Sequence, residues 1–70
     1  MIPLTMAEAG KPVVIKKVGG KPETRRFLEN LGFIEGESII VISESEGNLI
    51  VKVKESRVAI GKDMANKIMI

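Results

Sequence analysis

Acidic side chains are the residues of this sequence best placed to hold a metal ion. Glu35 and Glu37 flank Gly36, and Glu44 and Glu46 share a short polar stretch. The chain contains no histidine and no cysteine, so the usual nitrogen and sulfur ligands of transition metals are missing. Carboxylates at these spacings match no transition-metal motif, and solvated surface charge is the simpler interpretation. We therefore predict no metal site.

Catalytic groups are equally sparse. Hydroxyl side chains are present, but without histidine they form no familiar nucleophile–base pair. The tripeptide Gly20-Lys21-Pro22 lacks the spacing of a phosphate-binding loop. Arg25, Arg26 and Arg57 can in principle supply an arginine finger to a nucleotide-hydrolysing partner. A solvated helix face, with Arg25 near Glu29, is the simpler interpretation. We predict a protein that is not an enzyme and holds no cofactor.

Length and composition limit the function further. A chain of 70 residues accommodates one domain, residues 1–70. Its formal net charge of +2 is too small for a general nucleic-acid-binding surface. Phe27 and Phe33 are the only aromatic residues, which disfavours base stacking. The longest apolar run, Ile39–Ile42, is far shorter than the roughly 20 residues of a membrane span. We predict neither nucleic-acid binding nor membrane insertion.

Short runs of β-branched residues alternate with glycine-containing breaks along the chain. The predicted strands cover residues 13–18, about 38–43, about 49–54, 57–60 and 67–70. The principal helix is predicted near Pro22–Leu31, ending at Gly32, with Phe27 and Leu28 on its core-facing side. A mainly β fold follows: a small five-stranded barrel, closed or nearly closed, with this short helix between strands one and two. Closure would hide the sheet edges.

The register of the central hairpin decides which side chains face the core. A three-residue loop, 45–47, pairs Ile42 with Ile50, Val41 with Val51, and Ile39 with Val53, so apolar residues oppose apolar residues. A two-residue turn would set Val41 against Lys52, so we prefer the longer loop.

This register turns three isoleucines outward. We call Ile40, Ile42 and Ile50 the isoleucine patch, and Lys52 and Lys54 are predicted to form its polar rim. An exposed apolar cluster is usually covered or functional. Either the N-terminal turn, through Leu4 and Met6, lies across the patch, or the patch binds a partner protein or a second copy of the chain.

Several motifs follow one another in a fixed order. They are Gly19-Gly20, Arg25-Arg26, Phe27-Leu28, the stretch Leu31-Gly-Phe-Ile-Glu-Gly36, Val58-Ala59-Ile60, Ala65 and Ile68. In order and spacing they resemble the FeoA family, the small cytoplasmic component of bacterial ferrous-iron uptake, over essentially the whole chain. The chain departs from the family pattern near the turn between strands three and four, where the family often has glycine and this sequence has Glu55-Ser56.

The resemblance implies an SH3-like barrel and a cytoplasmic accessory protein. Its implied partner is the FeoB membrane transporter, contacted through the cytoplasmic GTPase region, with weak self-association as a further expectation. The residues expected to contact partners are Ile40, Ile42, Ile50, Lys52, Arg25 and Arg26. Although the family context is transition-metal transport, tight ferrous-iron binding is not expected in a chain without histidine or cysteine. The alternatives are a stand-alone regulatory domain related to the C-terminal domains of metal-dependent repressors, and an RNA-binding SH3-like barrel.

Overall fold

β-Branched runs and tight turns divide the chain into six strands, two α-helices and one 3₁₀ helix. The computed structural model describes residues 1–70. In chain order the elements are the 3₁₀ helix Leu4–Met6, β1 Pro12–Val14, β2 Lys17–Val18, α1 Pro22–Leu31, β3 Ser38–Ser45, β4 Asn48–Val53, β5 Ser56–Gly61, α2 Lys62–Ala65 and β6 Ile68–Met69. One antiparallel sheet has the strand order β1-β3-β4-β5, and β2 pairs with β6 in a second sheet. Neither helix is long and apolar enough to cross a lipid bilayer.

The predicted closed barrel of five strands is wrong in strand number and in closure. The stretch 13–18, predicted as one strand, bends and changes partners. The Ile15 N–H donates to the Glu37 carbonyl (3.0 Å), whereas the Lys16 N–H donates to the Met69 carbonyl (2.8 Å). β1 therefore pairs with β3 and β2 pairs with β6, which leaves two open sheets. Because the first strand is split, the principal helix follows β2 rather than strand one.

Helix α1 has the bounds that its terminal residues predict. Pro22 stands in the first turn, and Gly32 ends the helix in the left-handed conformation with φ 108°. The Phe33 N–H donates to the Leu28 carbonyl at 3.0 Å, which completes the cap. A Cβ on Gly32 would lie only 3.1 Å from Cγ2 of Val53, so the close approach of the helix end to β4 also favours glycine.

The core consists of thirteen buried apolar residues contributed by both sheets and both ends of the chain. They are Leu4, Ile15, Val18, Leu28, Phe33, Ile39, Val41, Leu49, Val51, Val53, Ile60, Ala65 and Ile68. Phe27 was predicted to belong to this core but is 49% exposed. Successive helical residues are rotated by about 100°, so full burial of Leu28 turns its neighbour toward solvent.

The central hairpin closes with a two-residue turn, so the predicted three-residue loop is wrong. Glu46 and Gly47 both have positive φ, 49° and 81°, as a tight hairpin turn requires. A β-bulge between Val41 and Ser43 then shifts the register by one residue.

The bulge restores the apolar pairing that motivated the longer loop. Val41 pairs with Val51, and Ile39 pairs with Val53, so both of these predicted pairs are confirmed. Ile42 is the extra residue of the bulge, and Ile50 pairs with Ser43 instead. The predicted pairing of Ile42 with Ile50 is therefore wrong.

Candidate docking surface

The isoleucine patch lies on the outer face of the four-stranded sheet. Successive residues of a strand point to opposite faces of the sheet. Because Ile39, Val41 and Val51 face the core, their neighbours along the strands face outward. All three patch isoleucines are partly buried rather than fully exposed. Cross-strand pairing gives the patch four neighbours on the same face: Pro12, Ser43, Lys52 and Ala59. The result is a mostly apolar surface on β3 and β4, interrupted by the bulge at Ile42.

The N-terminal turn does not cover the patch in the way the sequence suggested. Leu4 belongs to the buried core, and Met6 is 67% exposed. The turn lies instead against α2, where the Thr5 hydroxyl donates to Oδ1 of Asn66 at 2.6 Å. Leu4 and Met6 therefore leave the patch open to solvent or to a partner.

Two cations on the neighbouring strands flank the patch. Lys52 lies opposite Ile40 on β3 and opposite Arg57 on β5, and both cations are exposed. Neither takes part in an ion pair. Arg57 was not predicted to be part of this surface, because the apolar pattern of β5 alone does not specify its register against β4. The two-residue connection between Val53 and Ser56 is the signal that could have revealed it.

Lys54 was predicted to belong to the rim, and this prediction is wrong. It lies in the turn after β4 with φ 55°, and its Nζ is 3.4 Å from Oε1 of Glu37. Its side chain also runs past Gly32, at the end of α1. The left-handed backbone at Lys54 turns the side chain toward the helix instead of leaving it on the outer face.

Arg25 and Arg26 are exposed on α1 but are not brought next to the patch. The helix inserts Leu28 into the core and approaches the inner face of the sheet at Val53, whereas the patch is on the outer face. The predicted pairing of Arg25 with Glu29 does not form. These arginines therefore belong to a separate surface of the molecule.

The acidic residues do not converge on a common point. No three or more histidine, cysteine, aspartate or glutamate side chains lie close enough to hold a metal ion. Glu37 is paired with Lys54, and Oε1 of Glu44 is 3.1 Å from Nζ of Lys62. No polar or charged side chain is buried. The features that could contact a partner are therefore on the surface: the isoleucine patch with its neighbouring cations, and the unpaired edges of the sheets.

Comparison with known proteins gives a match along nearly the whole chain. Residues 2–70 match the family model described as FeoA domain. A proposed Fe(2+) transport protein A from Methanocaldococcus jannaschii is 34% identical over 70 residues, which cover 100% of this chain and 85% of that protein. The solved structure of an iron uptake regulatory protein, FeoA, is 31% identical, with a TM-score of 0.85 over 96% of this chain and 89% of that one.

Two more distant structures share the fold. Stenotrophomonas maltophilia FeoA complexed with zinc, described as an SH3 domain protein and a proposed activating factor of ferrous iron transport, has a TM-score of 0.84 at 22% identity. That match covers 99% of this chain and 88% of the other. A manganese-dependent transcriptional repressor has a TM-score of 0.85 at 17% identity, over 94% of this chain and 38% of the repressor. At these identities the likeness concerns the SH3-like fold alone.

Proposed function

This chain belongs to the FeoA family of ferrous iron transport, and from that premise we propose that it is a cytoplasmic accessory protein of a FeoB-type membrane transporter. In this proposal it binds the cytoplasmic GTPase region of the transporter and performs no chemistry itself. The observation that carries the proposal is the family match over residues 2–70.

The isoleucine patch is the proposed contact surface. Interfaces between proteins typically combine an apolar centre with a polar rim, and arginine is enriched in them. The patch has this composition, with Lys52 and Arg57 beside it and no acidic side chain among its cross-strand neighbours. It therefore suits an apolar surface bordered by acidic residues. Arg25 and Arg26, on α1, are proposed as a second and separate contact.

The mechanism in this proposal is preference for one state of the partner. A bound protein can shift a conformational equilibrium only by the difference between its affinities for the two states. For a GTPase region, the two states are set by the bound nucleotide. The accessory protein would therefore bind one nucleotide state of the transporter more tightly than the other, and a tenfold preference corresponds to about 1.4 kcal/mol.

Binding to the purified transporter tests the proposal directly. The transporter is held in detergent with either GDP or a non-hydrolysable GTP analogue, and the Kd for this protein is measured in both conditions by a surface-based assay. We expect saturable binding with different Kd values in the two nucleotide states. Absence of saturable binding in both states would refute the proposed partner.

Matched variants then test the surface. Ile40→Lys combined with Ile50→Lys places two charges in the patch, whereas Met6→Lys combined with Ile34→Lys adds the same charge at exposed apolar positions elsewhere. The patch variant is expected to keep its thermal unfolding temperature within a few degrees and to lose binding. The control variant is expected to retain both its unfolding temperature and its binding. Equal binding by the two variants would place the interface elsewhere, and binding by the Arg25→Ala, Arg26→Ala variant would then be measured against the unsubstituted protein.

The alternative function is a regulatory domain acting with a metal-dependent repressor. The structural likeness to the manganese-dependent repressor covers 94% of this chain, but at 17% identity it supports the fold and not the role. Family membership, in contrast, rests on a family match and a 34% identical relative. We therefore favour the transport role, and stable association with a repressor rather than the transporter would reverse that choice.

A further inference from the structure

The place where the two sheets separate forms an apolar groove, which we call the seam groove. It has a volume of about 260 Å³ and is lined by Ile2, Val13, Val14, Lys16 and Ile70. Ile2 and Val14 are 44% and 50% exposed, so part of the apolar lining of the groove is open to solvent. This volume is below the roughly 300–1,000 Å³ of small-molecule pockets. The groove therefore suits one or two side chains of a longer chain rather than a compact ligand.

One wall of the groove is the open edge of β1. The N–H of Ile15 donates to Glu37, and its carbonyl accepts from the N–H of Gly36 (2.8 Å), so both groups point toward the β3 side. Successive residues of a strand direct these groups to opposite sides. The N–H and carbonyl of Val14 therefore point away from β3, across the open edge and toward the groove. Unpaired groups at a sheet edge are a template for another strand.

The opposite wall is the end of β6 and the N-terminal segment paired with it. Ile2 and Ile70 exchange two backbone hydrogen bonds, at 3.0 and 2.8 Å. β6 runs antiparallel to β2, so Ile70 lies beside the bend at Lys16. At this bend the chain leaves β6 and β1 turns toward β3. The edge of β1 that faces away from β3 pairs with no strand of either sheet. The groove is thus the space in line with β6, beside β1.

The charge around the groove indicates which kind of peptide segment could bind there. Lys16 is the one charged residue of the lining, whereas Lys17, the next residue along the chain, does not line the groove. Lys16 takes part in no ion pair, and no acidic residue lines the groove. An extended segment that alternates apolar and acidic residues would place apolar side chains in the groove and carboxylates near Lys16.

We propose that β1 is a strand-addition site for an extended apolar–acidic segment of a partner protein, which lies in the seam groove in line with β6. Backbone bonds to Val14 would supply register, and the apolar lining with Lys16 would supply selectivity, as in other cases of strand addition. This inference goes beyond the transporter proposal, because the site is at the edge of the sheet and its test requires no transporter.

A synthetic peptide of alternating valine and glutamate, capped at both ends, is the probe. Its binding to the isotope-labelled protein is followed by amide NMR and by hydrogen exchange. We expect shifts centred on Val14, Lys16 and Ile70, and slower exchange of the Val14 amide. A peptide with lysine in place of glutamate should bind markedly less well. Shifts confined to the isoleucine patch, or no shifts at millimolar peptide, would overturn the proposal.

Variants of this protein separate the contribution of the backbone hydrogen bonds to peptide binding from that of the lysine charge. Val14→Pro removes the N–H at an edge position where proline is tolerated, whereas Val14→Thr keeps it. We expect the proline variant to bind the peptide about three- to tenfold more weakly than the threonine variant. Equal binding by the two would overturn the backbone contact.

The charge test remains informative even if the proline variant does not fold. Lys16→Glu should reverse the preference, so that the valine–lysine peptide binds better. An unchanged preference would overturn the proposal. Shifts at Val14 that grow with protein concentration in the absence of peptide would identify a second copy of the chain as the occupant, and would overturn it as well.

Discussion

The two faces of the β3–β4 hairpin are both apolar, but they differ in what covers them. The inner face contributes Ile39, Val41, Leu49, Val51 and Val53, none more than 3% exposed. The outer face carries the isoleucine patch, which stays partly exposed beside Lys52 and Arg57. Burial of apolar area stabilises the fold by about 25 cal/mol per Å², so most of the stability of this hairpin comes from its inner face.

This difference separates stability from recognition within the same two strands. Neighbouring residues along one strand point to opposite faces, so adjacent positions are expected to give different phenotypes. A substitution on the inner face should unfold the protein, whereas a substitution on the outer face should leave it folded and affect binding. In a domain of 70 residues, whose total stability is modest, the distinction is large enough to measure.

The largest effect is expected from the adjacent pair Ile39→Ala and Ile40→Ala. Ile39→Ala should lower the free energy of unfolding by about 2–5 kcal/mol, because it leaves a cavity in the core. Ile40→Ala should lower it by about 1–2 kcal/mol, because that side chain is only partly buried and its removal leaves no cavity in the core. Urea denaturation followed by circular dichroism measures both. Equal losses would mean that the outer face is covered in solution.

A smaller effect is expected where the helix end meets the inner face. Gly32→Ala should cost about 1–3 kcal/mol, because φ is 108° and the new Cβ would lie 3.1 Å from Val53. Gly36→Ala is the matched control, since φ is 89° but no atom lies within 4 Å of a Cβ there. The difference between the two unfolding free energies reports the contact with Val53. If the control costs as much as Gly32→Ala, the backbone conformation accounts for the whole effect.

Deletion of Ile42 tests the bulge that keeps the two faces in register. Without this residue, Val41–Val51 and Ser43–Ile50 become neighbouring pairs of a regular hairpin, so both pairings should persist. We expect a loss of about 1 kcal/mol from the missing apolar side chain, below that of Ile39→Ala. Cross-strand nuclear Overhauser effects report the pairing. If Val41 instead pairs with Lys52 in the deletion variant, Ile42 is not simply an extra residue, and the explanation of the register by the bulge is wrong.

The smallest effect is a gain in stability at the hairpin turn. Glu46 has φ 49° ahead of Gly47, and Asn-Gly is the preferred sequence for this turn. Glu46→Asn should therefore raise the free energy of unfolding by about 0.5–1 kcal/mol. Lys54→Asn is the matched comparison at φ 55°, and it should gain less because it loses the ion pair with Glu37. Differential scanning calorimetry is sensitive enough, since 1 kcal/mol shifts Tm by about 4–8 °C in a domain of this size.

Local signals account for the features that could be predicted from the sequence. Pro22 and Gly32 mark the ends of α1 because each residue restricts or permits the backbone at its own position. The apolar alternation of β4 likewise identifies its inner face, with Leu49 and Val51 both buried. The outward orientation of Ile40 and Ile50 follows from the same alternation, so two members of the candidate surface could be predicted from the sequence.

The features that could not be predicted depend on competition between distant partners. The bend at Lys16 arises because the same stretch pairs with β3 at one end and with β6 at the other. The seam groove and the open edge at Val14 are consequences of that bend. Nothing in the residues near Lys16 specifies which distant strand will pair with it, so periodicity predicted a single strand.

The sequence by itself determined the family, the mainly β composition, the bounds of α1 and the division of the hairpin into inner and outer residues. These follow from backbone restrictions and periodicities that act over a few residues. Only the tertiary structure decided that Ile42 is the extra residue of a bulge, that Lys54 turns toward Glu37, and that the sheets stay open beside Val14. Each of these depends on which distant backbone or side-chain groups meet, and hydrogen bonding and packing settle that choice only when the whole chain has folded.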